Sequence, residues 1–130
     1  MTNEEMQTLF SQPNNAIVGV NRTDAGPQLT PVWYCWDGKD FYFSTTRDRA
    51  KYINIKRNPS ISLIVDDFAT HKYVVAYGQA EILEQNDSDK LHLILQKYMP
   101  AEQVEVAVKR TLDDPSRVLV VLHTEKVVSN

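Results

Sequence analysis

Residues 43–51 read Phe-Ser-Thr-Thr-Arg-Asp-Arg-Ala-Lys and mark the point where a predicted strand gives way to a predicted helix. The aromatic alternation of residues 41–44 favours a strand. The helix, predicted over residues 48–57, must end before Pro59, because the residue before a proline is disfavoured in the α region. Hydroxyls and two cations therefore meet where a helix starts, and free N–H groups and the positive end of the helix dipole favour a phosphate there. The side chains concerned are those of Ser44, Thr45, Thr46, Arg49 and Lys51.

The cations Arg49 and Lys51 contradict the usual charge pattern of a helix start. Each cation in a first turn costs about 0.3 to 1 kcal/mol, because it faces the positive end of the dipole. A local rule that is broken without visible compensation is typical of a functional site, and here it predicts a bound anion. The alternative is a solvated basic turn whose charge is neutralised by Asp48 or by other carboxylates.

A second stretch, residues 28–36, reads Gln-Leu-Thr-Pro-Val-Trp-Tyr-Cys-Trp and is predicted as one strand. Pro31 cannot donate a hydrogen bond to a neighbouring strand, so it favours an edge or a gap in the pairing. Between Thr30 and Trp33 the backbone could therefore face a flat heterocyclic ligand. Packing of the aromatic residues in a core or a dimer interface explains the same residues equally well.

The rest of the chain predicts a mainly antiparallel β domain with peripheral helices. Further strands are predicted at residues 16–20, 61–65, 73–83 and 117–128, and further helices at residues 3–11, after the caps at residues 86–88, and from Pro100 to about residue 112. Six strands with tight turns favour a sheet that curls into a barrel, because closure removes unpaired edges. Gly78, inside a long strand, predicts a bulge or a close approach of another backbone or a ligand.

Composition predicts one soluble domain that spans residues 1–130, with 42% apolar and 24% charged residues. A net charge of −3 excludes a general attraction to nucleic acid or to an anionic membrane. No apolar run approaches the roughly 20 residues of a membrane span, and the start of the chain lacks a basic signal region, so a cytoplasmic protein is expected.

The cysteine and the histidines of the chain form no pattern typical of a metal site or of a catalytic nucleophile. The single cysteine, Cys35, lies in an apolar run and is predicted to be a packed thiol. The histidines His71, His92 and His123 are far apart and form no metal-binding motif, so no metal is expected. Motifs of hydrolases and nucleotide-binding loops are missing as well, which leaves a cofactor as the source of any difficult chemistry.

Both stretches resemble segments of the pyridoxamine-phosphate-oxidase-like split-barrel superfamily. Residues 26–34 resemble its GRPQ-x-x-PVW hairpin, residues 44–59 resemble its ST-x-x-x-RAK-x-x-N-x-x-RDPR segment, and the spacing between the two agrees. The resemblance covers about residues 15–99. Its pattern is most similar to the branch of flavin/deazaflavin oxidoreductases described as dependent on coenzyme F420, and other branches use FMN in an equivalent cleft.

The resemblance implies a six-stranded antiparallel split β-barrel with peripheral helices, which works as a homodimer with the cofactor at the subunit interface. It implies that the phosphate is held by Ser44, Thr45, Thr46, Arg49 and Lys51. It also implies that the backbone of Thr30, Pro31, Val32 and Trp33 lies along the isoalloxazine ring. Gln79 and its neighbours would reach the cofactor of the partner subunit.

The chain departs from the family pattern at two places. The RDPR of the family is Arg57-Asn58-Pro59-Ser60 here, so one arginine is lost. Residues 124–130 lack the basic, aromatic segment that true pyridoxamine phosphate oxidases use for substrate, so synthesis of pyridoxal phosphate is not expected.

The resulting hypothesis is hydride transfer between bound F420 or FMN and a small planar organic acceptor such as a quinone or an enone. The acidic tail of F420 could be received by Arg47, Lys56 and Arg57, although these residues could simply be solvated. No side chain is an evident general acid; Tyr34 or a backbone amide could assist. The alternative is a non-catalytic FMN- or haem-related protein that stores or senses its ligand.

Overall fold

The computed structural model describes residues 1–130 and contains seven strands and four helices. The strands are β1 (Ala16–Val20), β2 (Gln28–Val32), β3 (Tyr34–Trp36), β4 (Phe41–Thr46), β5 (Ser60–Asp67), β6 (Lys72–Leu83) and β7 (Arg117–Ser129). The helices are α1 (Asn3–Phe10), α2 (Ala50–Arg57), α3 (Ser88–Tyr98) and α4 (Ala101–Asp113). None of the four helices is long and apolar enough to cross a membrane.

All seven strands form one antiparallel sheet in the order β2-β1-β5-β6-β7-β4-β3. The edge strands of this order, β2 and β3, are separated in the chain by Trp33 alone. A sheet whose two edges are joined by one residue must curl until those edges approach each other. The predicted fold, a mainly β antiparallel barrel with peripheral helices, is confirmed.

The number of strands differs from the prediction because residues 28–36 form two strands and not one. Val32 pairs with Ala16 of β1, whereas Tyr34 pairs with Phe43 of β4, at the other end of the sheet. The chain therefore changes its partner strand at Trp33. Pro31 had indicated an edge or a gap in the pairing, but the apolar run continues through Trp33, so the sequence did not show that a new strand starts at Tyr34.

The barrel interior holds a core of 17 buried residues. Along β1 the burial alternates, with Ala16, Val18 and Val20 fully buried, as expected for a strand with one face inside. Helix α1 contributes Leu9 and Phe10 to this core. The Phe10 ring meets aromatic neighbours edge-on at 5.0 to 6.0 Å, and it thereby covers one end of the barrel.

A second apolar cluster joins α3 and α4 to the outer side of the sheet around β3 and β4. Cys35 belongs to it and is buried, as predicted, and burial raises the pKa of its thiol to about 11. The thiol is therefore protonated at neutral pH, which is the state of a structural cysteine and not of a nucleophile.

Gly78 lies at a register shift between β6 and β7, so the predicted bulge is confirmed. A Cβ atom at this position would overlap the backbone carbonyl of His123. Only glycine permits this close approach of the two strands.

Candidate cofactor-binding site

A cavity of about 370 Å³ lies where the two stretches singled out in the sequence meet. Its volume falls within the range of sites that bind small molecules. The break between β2 and β3, the end of β4 and the start of α2 form one side, and α3, α4 and β7 form the other. The lining residues are Pro31, Val32, Trp33, Ser44, Thr45, Thr46, Arg49, Lys51, Leu91, Ile94, Leu95, Thr111 and Arg117.

Two of the residues implied by the family resemblance lie outside this cavity. Thr30 is paired with Val18 of β1, and successive residues of a strand point to opposite faces, so it lies opposite to Pro31. Gln79 is exposed on β6, where it pairs with His123. The other eight residues line the cavity, although they come from two separate segments.

The cavity also contains residues that the sequence did not indicate. Leu91, Ile94 and Leu95 were predicted only as the apolar side of a helix, and nothing in their spacing said that this side borders a cavity. Arg117 and Thr111 stand far from the other lining residues in the chain. Arg117 reaches the site because it pairs with Thr46 across β4 and β7, which only the register of the sheet reveals.

Helix α2 begins without the usual compensation at its positive end. The helix starts at Ala50, two residues later than predicted, so Arg49 is its N-cap residue and not part of its first turn. No side chain caps the first N–H groups, and the first turn contains no acidic residue. Free N–H groups and a positive dipole end therefore border the cavity without an anion from the protein.

Lys51 is the most unusual side chain of the cavity. It is 93% buried, since 7% of its surface is exposed, yet its ammonium group forms no ion pair and no hydrogen bond. Its Nζ lies 5.9 Å from the centre of the Phe43 ring. Burial, and then the charges of Arg49 and Arg117, lower the pKa of Lys51. The Nζ atom itself is not among the enclosed polar atoms, and the residue lines the cavity, so an anion bound there would find a charged partner.

A hydroxyl group at the end of β4 also lacks a partner in the protein. Ser44 Oγ is buried and has no hydrogen-bond partner, and Thr45 is buried beside it. A buried polar atom without a partner costs about 1 to 3 kcal/mol, and such atoms are rare in native proteins. Thr46 Oγ1, in contrast, donates to the carboxylate of Asp48.

Acidic residues near the cavity form no ion pair with its cations. Asp48 accepts a hydrogen bond from Thr46 and forms no ion pair with Arg49 or Lys51. The charge of Arg49 still helps to lower the pKa of Asp48, after the hydrogen bond from Thr46, so the alternative of a basic turn neutralised by carboxylates stays a hypothesis. The ion pairs of the structure involve other residues, namely Arg47 with Glu84, Lys72 with Glu5, Lys109 with Asp113, His92 with Glu105, and His123 with Asp40 and Glu81.

The cations considered for the acidic tail of F420 are also engaged outside the cavity. Arg47 forms an ion pair of 2.7 Å, Arg57 donates to a backbone carbonyl at 2.7 Å, and Lys56 contacts a phenol oxygen at 3.4 Å. The partners are Glu84 for Arg47, Asn21 for Arg57 and Tyr52 for Lys56. None of these three side chains lines the cavity.

Tyr34, considered as a proton donor, points away from the cavity. It is fully buried in the barrel core, and its hydroxyl has no hydrogen-bond partner. Burial raises the pKa of this phenol far above its usual range. The cavity itself is lined by no carboxylate, histidine, cysteine or tyrosine.

The apolar part of the cavity begins at Trp33. Its indole is stacked on Tyr98, with ring centres 4.7 Å apart and planes 3° apart, and Tyr98 is held by a 2.8 Å hydrogen bond to the carbonyl of Asn14. Trp33 takes part in neither strand pairing. One end of the cavity thus carries cations and hydroxyls and the rest is apolar, which fits a ligand with a flat ring system and a phosphate.

The family profile described as pyridoxamine 5'-phosphate oxidase matches residues 2–129. The chain belongs to this family. The resemblance found in its sequence is therefore confirmed, and it extends over nearly the whole chain. No curated protein sequence matches this family member.

Solved structures share the fold of this family member. An F420 reductase is 23% identical, with 94% of each chain covered and a TM-score of 0.68. A conserved hypothetical protein from Mycobacterium tuberculosis is 24% identical over 99% of this chain and 84% of its own, with a TM-score of 0.79. HupZ from Group A Streptococcus is 21% identical over 99% and 94%, with a TM-score of 0.71. At these identities the likeness establishes the fold alone.

Proposed function

We propose that the protein is an oxidoreductase that transfers hydride between bound FMN or F420 and a small planar organic acceptor. The observation that carries this proposal is the cavity in which Lys51 and the Ser44 hydroxyl both lack a partner. Membership of a family named for an oxidase supports a flavin-type cofactor. When bound, such a cofactor supplies the two-electron chemistry, and the protein supplies binding, orientation and electrostatics.

The phosphate of the cofactor would be held at the start of α2. Arg49 and Lys51 would supply positive charge, and Ser44 and Thr45 would donate hydrogen bonds from their hydroxyls. Hydrogen bonds to charged groups contribute about 1.5 to 3 kcal/mol each, which exceeds the contribution of neutral ones. The same contacts would end the unpaired state of Lys51 and Ser44.

The ring system would lie along the backbone from Pro31 to Trp33. This backbone can contact a ligand because Trp33 is unpaired and β2 is paired with β1 alone, which leaves its other side open. The Trp33–Tyr98 stack fixes the position of the segment. The apolar side chains of α3 would exclude water from the opposite side, which strengthens the electrostatic contacts at the phosphate end.

We propose further that the protein is a homodimer with the cofactor near the subunit interface. The outer face of the sheet carries an apolar row that runs in register across β2, β1, β5, β6 and β7; its members are Pro31, Ile17, Ile64, Val75 and Val128. Beside this row, Leu29 is 67% and Tyr77 45% exposed. Exposed apolar patches of this kind are typical of interfaces between proteins. Pro31 also lines the cavity, so a second copy on this face would border the cofactor.

Titration with FMN and with F420 tests the cofactor proposal. Flavin fluorescence or absorbance should report binding of at least one of them to the purified protein, and mixing the reduced cofactor with a quinone should consume it steadily. Lys51→Met removes the cation of the cavity on α2 and should weaken binding, and Lys56→Met is its control, because it removes an exposed cation of α2 outside the cavity. Failure of both cofactors to bind below high micromolar concentration would refute the proposal.

One observation favours the non-catalytic alternative. Because no carboxylate, histidine, cysteine or tyrosine lines the cavity, the protein itself offers no usual proton donor beside the ring. A storage or sensing protein needs none. Tight binding of a flavin or a haem-related ligand, without turnover of any electron acceptor, would support this alternative.

A further inference from the structure

A second cleft lies between α1 and α3, beside β3. Its volume is about 530 Å³, within the range of sites that bind small molecules. The lining residues are Gln7, Phe10, Ser11, Cys35, Trp36, Leu93, Gln96 and Lys97. None of them is acidic, and Lys97 is the only cation among them. The cleft shares no lining residue with the cofactor cavity, so it is a separate candidate site.

The amine of Lys97 is held in one place where it lines this cleft. Lys97 belongs to the last turn of α3 and is half-buried. Its Nζ donates a 2.8 Å hydrogen bond to the carbonyl oxygen of Phe10, the last residue of α1. The same atom lies 3.6 Å from the centre of the Tyr34 ring. Two contacts from two different elements therefore fix the position of the amine.

No negative charge of the protein stabilises the ammonium form of Lys97. It forms no ion pair. The titratable groups packed against it are the phenols of Tyr34 and Tyr98 and the thiol of Cys35, and burial raises the pKa of each. All of these groups are therefore uncharged at neutral pH. The side chains that α1 contributes to the cleft carry no charge either.

Burial without a counter-ion makes Lys97 a nucleophile near neutral pH, because it lowers the pKa of the amine to about 8. At pH 7.5 about a quarter of such an amine is neutral, whereas an ordinary lysine is neutral in about one molecule in 800. Only the neutral amine has a lone pair that can attack an electrophile, and an apolar pocket activates lysines in this way. A lower pKa also weakens a nucleophile, so the gain in rate is smaller than the gain in neutral fraction.

We propose that Lys97 is a modification site whose amine accepts an acyl group from a small thioester in the cleft between α1 and α3. The nitrogen forms a bond to the acyl carbon, the bond between this carbon and sulfur breaks, and the thiolate leaves with the proton that the nitrogen gives up. A thioester suits the cleft better than an acyl phosphate, because no second cation is present to hold a phosphate. Phe10, Trp36 and Leu93 offer apolar walls to the acyl group. This modification would take place whether or not the other cavity binds a cofactor.

Acylation would change how α1 is held against the barrel. A cation at the C-terminal end of a helix is stabilising, yet the last turn of α1 contains no basic residue. Lys97 supplies this charge from α3 through its hydrogen bond to the Phe10 carbonyl. An amide at Lys97 would remove the charge, so the end of α1 that places Phe10 in the core would loosen.

Labelling of the whole folded protein tests the reactivity. The reagent is the acetyl thioester of N-acetylcysteamine, which is small and uncharged, and mass spectrometry of the digested chain gives the rate at each lysine. At pH 7.5 Lys97 should react at least about tenfold faster than Lys126, which is exposed. The rate at Lys97 should reach half of its maximum near pH 8. A rate at Lys97 no higher than that at Lys126, or a difference that persists in urea-unfolded protein, would overturn the proposal.

Two glutamate variants show whether the cleft causes the reactivity. Gln7→Glu adds a carboxylate to the cleft lining, and an opposite charge nearby favours the ammonium form of Lys97. The rate at pH 7.5 should therefore fall about threefold or more. Gln103→Glu is the matched control, because it adds the same charge at an exposed position of α4 outside the cleft. Equal rates in the two variants would overturn the assignment to this cleft.

Lys97→Gln and Lys97→Arg test the effect on α1. Glutamine is uncharged like the acylated side chain, whereas arginine keeps the charge. Amide hydrogen exchange in residues 3–10 should be about two- to fivefold faster in Lys97→Gln than in Lys97→Arg. Equal exchange in the two variants would show that the charge of Lys97 does not hold α1, and the proposed consequence of acylation would be wrong.

Discussion

At the scale of single residues, some side chains of the cavity lower the stability of the ligand-free protein and would raise its affinity for a phosphate-bearing ligand. The Ser44 hydroxyl is buried without a partner, and burial and the charges of Arg49 and Arg117 disfavour the charged form of Lys51, so both cost free energy in the ligand-free protein. A bound phosphate would offset this free energy, because it would accept hydrogen bonds from these groups. Such a residue is destabilising alone and favourable in the complex, which is a pattern typical of functional sites.

Lys51→Met should therefore affect folding and binding in opposite directions. Because methionine fills a similar volume without a charge, the ligand-free variant should unfold at a higher temperature than the unaltered protein. Its binding of FMN should weaken by about 1.5 to 3 kcal/mol, the range for hydrogen bonds to charged groups. Calorimetric melting and fluorescence titration measure the two effects. Unchanged affinity would place the phosphate elsewhere.

The site could be predicted from sequence only where its residues are neighbours in the chain. Hydroxyls, a helix start and two cations follow one another within residues 43–51, so local rules were enough. Arg117 could not be found in this way, because its place beside Thr46 depends on how β7 pairs with β4. The sequence also could not show that Lys51 has no ion-pair partner, because residues adjacent in the chain do not determine which side chains surround it in the fold.

At the scale of elements, short apolar runs between turn-forming residues were predicted well. Strand β1 has the predicted bounds, because its apolar, β-branched run lies between the turn-forming residues Asn14-Asn15 and Asn21. The stretch at residues 28–36 was predicted incorrectly as one strand. Its alternation continues through Trp33, but closure of the barrel requires the chain to leave one edge and join the other there.

Gly78→Ala should destabilise the β6–β7 pair. The new Cβ would overlap the backbone of His123, and backbone atoms cannot move aside as a flexible side chain can. The expected loss is about 2 kcal/mol or more of unfolding free energy, measured by urea denaturation. Gly26→Ala is the matched control, because no atom lies within 4 Å of the position that its new methyl group would take, and its effect should stay within about 0.5 kcal/mol.

His123 makes the same region sensitive to pH. Its Nε2 lies 2.7 Å from Glu81 and its Nδ1 lies 3.1 Å from Asp40, and these hydrogen bonds, first that of Glu81 and then that of Asp40, raise the pKa of His123. A raised pKa in the folded state stabilises the fold fully below the unfolded pKa of about 6.5. This contribution is lost as the pH rises through the folded pKa.

The test is the unfolding free energy between about pH 5 and pH 9. The unaltered protein should lose stability with rising pH relative to His123→Gln, whose side chain does not titrate. Parallel curves for the two proteins would contradict a role of His123 in this pH dependence.

At the scale of the whole molecule, the fold class could be predicted by counting strands and turns in the sequence. The apolar outer face of the sheet could not be predicted in this way. The residues of that face come from five strands and form a row only in the register of the sheet. In the sequence each of them looked like an ordinary member of a strand.

Val75→Lys should therefore break the proposed homodimer. Val75 lies inside the apolar row, between Ile64 and Val128, so a lysine there would place a charge within the proposed interface. Sedimentation velocity should show a monomer, and FMN affinity should fall with it, since the row reaches the cavity at Pro31. Val106→Lys, on an exposed site of α4, is the control that should keep the dimer. A dimer that survives Val75→Lys would place the interface elsewhere.

The position of β7 decides when the sheet can close. It follows the other six strands in the chain, yet it lies between β6 and β4 inside the sheet. Before β7 is in place, the β3–β4 hairpin has no strand to join, and the two incomplete parts of the sheet have open edges. A partly folded copy is therefore exposed at these edges to strand pairing with another chain.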